Sequence, residues 1–360
     1  MIKALLRSGL AASFCLILFI SSPGAADSPR FDVQKLSEGV YAVVRREPPG
    51  LMFDANNLFI IGERDVIVVD SNFSLASTRE VLAALKKLTD KPVRYVVNTH
   101  WHDDHITGNQ VYRDAFPSVE FIGHESAVRD MAETGAKNRK GLQDNTPRLI
   151  KLFQGQVEKK KNLAGQDLTE EESMSYLKDA FLLERYLESI PSLQIIAPTL
   201  TVKESLTLRR GSRTVEILHI GGGHTPADLI VYLPEEGILA SGDLIVHPVP
   251  LVGSTSLPID YAATLRRLID LKPKIIVPGH GPVMRDDSYV RRMIRLLDSI
   301  NSQTEAAVRR GETLEQARKS VQLEELRREF AGASQLKSFI FQTYVVSPGI
   351  EAAYKQAQAK

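Results

Sequence analysis

Three histidines and two aspartates fall within six consecutive positions, His100-Trp101-His102-Asp103-Asp104-His105. They directly follow Val93-Arg94-Tyr95-Val96-Val97-Asn98-Thr99, an apolar run that reads as a buried strand. Alternation at a strand end places His100 and His102 on the same side. A turn then lets Asp104 and His105 approach from a second direction. Three imidazoles and a carboxylate suit borderline metals of the zinc type, which accept nitrogen and oxygen donors. Only eight histidines occur in 360 residues, so this clustering is a signal and not the scatter of a polar loop. Trp101 and Asp103, the intervening positions, are expected to point away from any metal.

The surrounding pattern is that of a layered α/β protein. Val40–Val44, Asn57–Ile61 and Val66–Asp70 read as strands separated by Pro48-Pro49-Gly50 and Gly62-Glu63-Arg64. Ser77–Leu88 reads as a helix with Val81, Leu82, Leu85 and Leu88 on one stripe. The strand ending at the histidine cluster comes next, then Val119–Gly123; strand, helix, strand in this order implies stacked layers. Residues 125 to about 190 are charged and helix-prone, with Lys159-Lys160-Lys161 and Glu170-Glu171-Glu172 expected on a solvated face. Such an insertion can cap a neighbouring site. Strand patterning resumes at Leu200–Val202, Leu206–Leu208, Thr214–Leu218, Leu229–Leu233 and Ile238–Ala240. A helix over Tyr261–Leu271 leads to a last strand, Lys274–Val277. Beyond Ser288 the tail reads as helical, with a capping box at Thr313-Leu314-Glu315-Gln316.

The first 26 residues have the layout of a secretory signal: Lys3 and Arg7, an apolar run from Leu10 to Ile20, then Ser21-Ser22-Pro23-Gly24-Ala25-Ala26. A periplasmic or secreted protein beginning at Asp27 is expected, with no stable membrane span after cleavage. Cys15, the one cysteine, would leave with that segment, excluding a disulfide framework and any thiolate nucleophile. A net charge of +1 with both signs interspersed shows no nucleic-acid footprint and names no protein partner.

The remaining chemistry-bearing residues stand beside glycine at strand ends: His224 in Gly221-Gly222-Gly223-His224-Thr225-Pro226, Asp243 after Ile238-Leu239-Ala240-Ser241-Gly242, and His280 in Val277-Pro278-Gly279-His280-Gly281. Glycine there lets backbone pass close to a packed site. His247, in Leu244-Ile245-Val246-His247-Pro248, is a candidate substrate contact or proton shuttle, or else a structural loop histidine. His219 and His124 read as packing or capping residues.

With this ordered set, the chain resembles the metallo-β-lactamase superfamily over roughly residues 33–285. The resemblance implies a four-layer αββα sandwich over residues 27–285, with a helical insertion at about 125–190 and a C-terminal helical extension at 286–360. It implies that His100, His102 and His224 hold one metal and that Asp104, His105 and His280 hold a second. Asp243 would bridge both, and Asp70 would orient a ligand from behind. Two zinc ions per chain are expected, with iron as the alternative. The chemistry implied is attack by a metal-bound hydroxide on a small ester, thioester, lactone or amide, with Asp104 as the catalytic carboxylate. The β-lactamases of the superfamily usually carry cysteine or serine where Asp243 stands, so β-lactam cleavage is the alternative here. An iron-dependent sulfur dioxygenase-like activity is another.

Overall fold

The computed structural model describes residues 30–359, so the expected leader over residues 1–26 lies outside the described residues. The described residues open with four strands: β1 (Phe31–Ser37), β2 (Val40–Arg45), β3 (Asn57–Ile61) and β4 (Val66–Val69). Each pairs antiparallel with the next. Helix α1 (Leu75–Leu88) crosses to β5 (Val93–Val97), which runs parallel to β4. The Ser74 side chain accepts from the Ser77 N–H and starts this helix two residues before Ser77. Leu88, at its last position, is exposed and not part of the packed stripe. Short helices α2 (Asp103–Ile106) and α3 (Asn109–Ala115) precede β6 (Glu120–His124).

An insertion follows: α4 (Glu125–Asp130), a π-helical turn at Met131–Gly135, α5 (Ala136–Lys159) and α6 (Glu170–Ser189). Then β7 (Leu200–Val202) completes a seven-stranded sheet in sequential order. The second sheet comprises β8 (Ser205–Arg210), β9 (Arg213–Leu218), β10 (Ile230–Leu233), β11 (Ile238–Val246) and, after α7 (Pro258–Asp270), β12 (Ile275–His280). Its order is β12-β11-β10-β9-β8, antiparallel except for the β11–β12 pair.

Side-chain alternation sets the layers. Leu58 and Ile60 of β3, with Ile67 and Val69 of β4, face inward onto Ile217, Val231 and Ala240 of the second sheet. Phe59, Val66 and Val68 face outward onto Leu75, Val81 and Leu85 of α1. On the opposite flank, Ile230, Leu239 and Ile276 pack under Leu265 and Leu268 of α7. The result is helix, sheet, sheet, helix. The tail covers that second flank with α8 (Ser288–Arg309), α9 (Leu314–Ser320), α10 (Glu324–Ala331), α11 (Gln335–Phe341) and α12 (Ser347–Gln358). The capping box expected at Thr313 and Gln316 is formed.

Helices α5 and α6 share a small core of Ile150, Phe153, Tyr176, Leu183 and Tyr186, and Tyr186 stacks on Phe73 at 4.6 Å. The acidic run at the start of α6 is not a uniformly solvated face. Glu172 is buried and closes a capping box with Thr169, while its other oxygen accepts from Asn162. A carboxylate in the first turn also suits the positive end of the helix.

Candidate metal centre

The floor of the site is built from the ends of β4 and β5. Asp70 follows β4 with φ +59°, in the left-handed region, and its backbone N–H donates to Val97. Its carboxylate accepts from the Thr99 N–H and the Thr99 hydroxyl at 2.8 Å each, and from His105 Nδ1 at 2.9 Å. Those bonds draw Thr99 off the ladder. The strand therefore ends at Val97, two residues short of the sequence reading, and His100 and His102 converge through the following loop instead of through strand alternation. Asn98 holds that loop shut by donating to the His105 carbonyl, and it exchanges hydrogen bonds with Asn109.

The second sheet brings the opposing groups. Asp243 lies inside β11, which continues to Val246, and not at its close as expected. The physical reason is a register shift about Gly242, φ +51°, after which β11 resumes pairing with β12. A Cβ at Gly242 would come within 2.5 Å of Thr99 side-chain atoms, and one at Gly279 within 2.0 Å of Asp243 Oδ1. Only glycine allows the strand ends to meet this closely.

Two sets of donors result. His100, His102 and His224 form one, and Asp104, His105, Asp243 and His280 form the other; within each set the donor atoms lie within 4.8 Å of one another. In the first set His102 Nδ1 and His224 Nε2 are 2.9 Å apart. In the second, Asp243 Oδ1 lies 3.2 Å from His105 Nε2 and 3.3 Å from His280 Nε2. Asp243 Oδ2 faces the other way, 3.6 Å from His224 Nε2. One carboxylate thus presents an oxygen to each set.

Hydrogen bonding behind the imidazoles fixes which nitrogen faces the site. Thr99 spends its proton on Asp70, so its oxygen is left to accept from His100 Nδ1 at 3.2 Å. The Asp70 carboxylate takes the Nδ1 proton of His105, and the Leu251 carbonyl lies 3.4 Å from His224 Nδ1. In the neutral rings the opposite nitrogens therefore carry lone pairs. His100 Nε2, His105 Nε2, His280 Nε2 and Asp243 Oδ1 are all buried without a hydrogen-bond partner. Buried polar atoms without partners are expensive, and four aimed inward fit a divalent cation.

The electrostatics agree. Burial, with His224 beside it, pushes His102 down to about 3, and burial also lowers His100. Burial opposes protonation of His280, yet Asp243 and Asp104 raise it to about 9. Burial likewise opposes protonation of His105, and Asp104, Asp70 and Asp243 raise it well above the usual imidazole range. Both carboxylates stay well below theirs despite burial, held by His105 and His280. In the absence of metal, the second set holds protons that a cation would replace.

The seven motif residues and Asp70 thus come together. Trp101 packs with Ile106, Ala127 and Met131 and edge-on against the His102 ring at 4.4 Å, and Asp103 turns to Arg139, so neither adds a ligand atom to the donor sets. His247 joins neither donor set: its ring packs on Tyr289 at 5.0 Å, and with His280 and Phe53 it lines a second cavity of about 330 Å³. His124 caps α4, and His219 lies against it at 4.3 Å while donating to the Asp228 carbonyl. The sequence reading missed Thr99 as a relay, although the polar pair Asn98-Thr99 after an apolar strand is a usable signal. It also missed Phe53, which lies 5.0 Å from the His280 ring, and Arg139; neither carries a local signal.

A cleft of about 350 Å³ opens over both donor sets, walled by the 51–53 loop, α5 and Tyr344. The sequence model of the Metallo-beta-lactamase superfamily matches residues 52–280. The chain is 28% identical over 245 residues to a linear primary-alkylsulfatase of a Pseudomonas species, covering 64% of this chain and only 42% of that protein. It is 23% identical over 274 residues to the beta-lactamase-like protein 2 homolog of Caenorhabditis elegans, covering 73% and 70%. A solved metallo-beta-lactamase from Pontibacter korlensis superposes with a TM-score of 0.51 at 20% identity, covering 74% of this chain and 99% of that one.

Proposed function

This chain belongs to the metallo-β-lactamase superfamily, and from that premise we propose that it is an exported dinuclear zinc hydrolase cleaving a small ester, thioester, lactone or amide. The observation that carries the reading is Asp243, whose two oxygens face two complete donor sets. His100, His102 and His224 would hold one ion; Asp104, His105 and His280 the other; Asp243 both. When bound, the ions supply Lewis acidity and a water of depressed pKa.

The chain's own groups prepare that chemistry. Asp70 and Thr99 hold His105 and His100 in the tautomers that leave Nε2 free. Asp104 is the most exposed carboxylate of the set, at 19% of its side chain, and it stays ionised. It is therefore the one able to accept a proton-bearing group from the cleft. Tyr344 cannot serve as an acid, because its hydroxyl is committed to the Leu51 carbonyl at 2.7 Å. Leu51, Met52, Phe53, Phe73, Leu142 and Leu251 place apolar surface in the cleft, which thins the water around a bound carbonyl.

Metal stoichiometry by elemental mass spectrometry, followed by a panel of esters, thioesters, lactones, amides, alkyl sulfates and a β-lactam, tests this. About two zinc ions and turnover of a carbonyl substrate are expected. One iron with oxygen consumption on thiols overturns it, as does turnover confined to alkyl sulfates, the chemistry named for the Pseudomonas relative.

A further inference from the structure

We infer that the substrate is electrically neutral and carries an apolar chain, which lies between the 51–53 loop and helix α5. This rests on the hydrolase reading above and names the substrate class of the same site. Among the described residues lining the cleft, Leu51, Phe53, Phe73, Leu142, Leu251 and Tyr344 supply apolar surface beside the donor sets. Arg139 is the one lysine or arginine among those lining residues, and it is already neutralised. Its Nε lies 3.0 and 3.1 Å from the two Asp103 oxygens and its Nη2 lies 2.7 Å from Oδ1, with both side chains nearly buried. Releasing Arg139 to an incoming anion would strand a buried carboxylate next to Asp104. A sulfate or carboxylate seated in this cleft therefore meets no unpaired lysine or arginine among its described lining residues.

The walls are also held in place before any ligand arrives. Asp179 of α6 accepts the backbone N–H groups of Leu51 at 2.9 Å and Met52 at 3.1 Å. Lys178, paired with Asp179 and equally buried, donates to the Met52 carbonyl. Tyr344 from the tail donates to Leu51 and packs against Phe53, centroids 6.0 Å apart. Thus the insertion and the tail grip one short loop from opposite sides. A pre-formed apolar slot of this kind rewards chain length, methylene by methylene.

The test uses the metal-loaded full chain and neutral p-nitrophenyl esters from acetyl through butyryl to octanoyl, beside octyl sulfate and a carboxylate-bearing β-lactam. Expected is a kcat/KM that climbs about fourfold per methylene until the slot is filled. Leu142→Trp should raise the acetyl-over-octanoyl preference by tenfold or more, and Met52→Trp, at a second position on the opposite wall, should shift it the same way. A flat chain-length profile overturns the inference. So does a loss in both folded variants that is equal for short and long chains, or turnover of octyl sulfate or the β-lactam above that of the octanoyl ester. Failure of every carbonyl substrate with two ions bound overturns the hydrolase reading itself and the inference with it.

Discussion

Asp70→Asn isolates the role of the group behind the metal ligands. Asparagine tolerates the left-handed backbone at φ +59°, so the substitution leaves the turn unstrained. The carboxylate has three donors to satisfy: the Thr99 N–H on Oδ1, and the Thr99 hydroxyl and His105 Nδ1 on Oδ2. A carboxamide keeps one oxygen only. With its NH₂ facing Thr99 N–H, two fixed donors oppose each other, at roughly 1–3 kcal/mol. With its NH₂ facing His105, the imidazole escapes by moving its proton to Nε2, the atom that must ligate. The second arrangement prevails because a ring can exchange its proton and a peptide cannot. Loss of such a partner lowers metal affinity by about 10–100-fold, or about 1.4–2.8 kcal/mol. That loss should fall more heavily on the Asp104, His105, Asp243 and His280 set, where His105 loses its acceptor outright, than on the His100 set, where the Thr99 oxygen still has a lone pair for His100 Nδ1. Chelator-competition titration resolving two dissociation constants reads the effect, with thermal unfolding to confirm the fold. Equal weakening of both sites, or no weakening of either in a folded protein, refutes the reasoning.

The protons on His105 and His280 make a pH signature. His280 is raised to about 9, so its contribution to the stability of the metal-free protein is fully present below about pH 6.5 and lost as pH rises through about 9. The Tm of the metal-free protein should fall over that window while the loaded protein's holds, and metal affinity of the second set should rise with pH across it; a metal-free Tm flat from pH 6.5 to 9 contradicts this. Gly279→Ala places a methyl 2.0 Å from Asp243 Oδ1 and should lower the metal content below that of the parent protein, read by elemental analysis. Export predicts that the protein recovered from its compartment begins at Asp27, and N-terminal sequencing that returns Met1 refutes it.

What could be read directly from residue order is what local physics determines. Strand β3 runs Asn57–Ile61 as expected because its alternation matches one inward and one outward face. The seven donors were legible because each is a metal-compatible side chain beside a glycine or within the His100–His105 cluster. Strand limits were less so. Val97 is where β5 ends only because Asp70, 27 positions earlier, takes the Thr99 N–H, and periodicity carries no trace of that bond. The same holds for the cleft walls. Asp179 reaches Leu51 across 128 positions and Tyr344 reaches it across 293, so nothing near residue 51 announces either partner. His247 shows the converse. Proximity to Asp243 in sequence suggested a place in the cleft, but β11 carries it past the site onto Tyr289.

The donor sets have a mechanical consequence. His100, His102, Asp104 and His105 hang from the first sheet, whereas His224, Asp243 and His280 hang from the second. Every ion held there is a clasp between the two halves of the sandwich, fastened at the rim where the sheets could otherwise part. By mass action each ion at a hundredfold excess over its Kd adds about 2.7 kcal/mol against opening. Stripping the ions would disarm the site and slacken the seam together, so proteolytic resistance of the body should track metal occupancy as closely as turnover does.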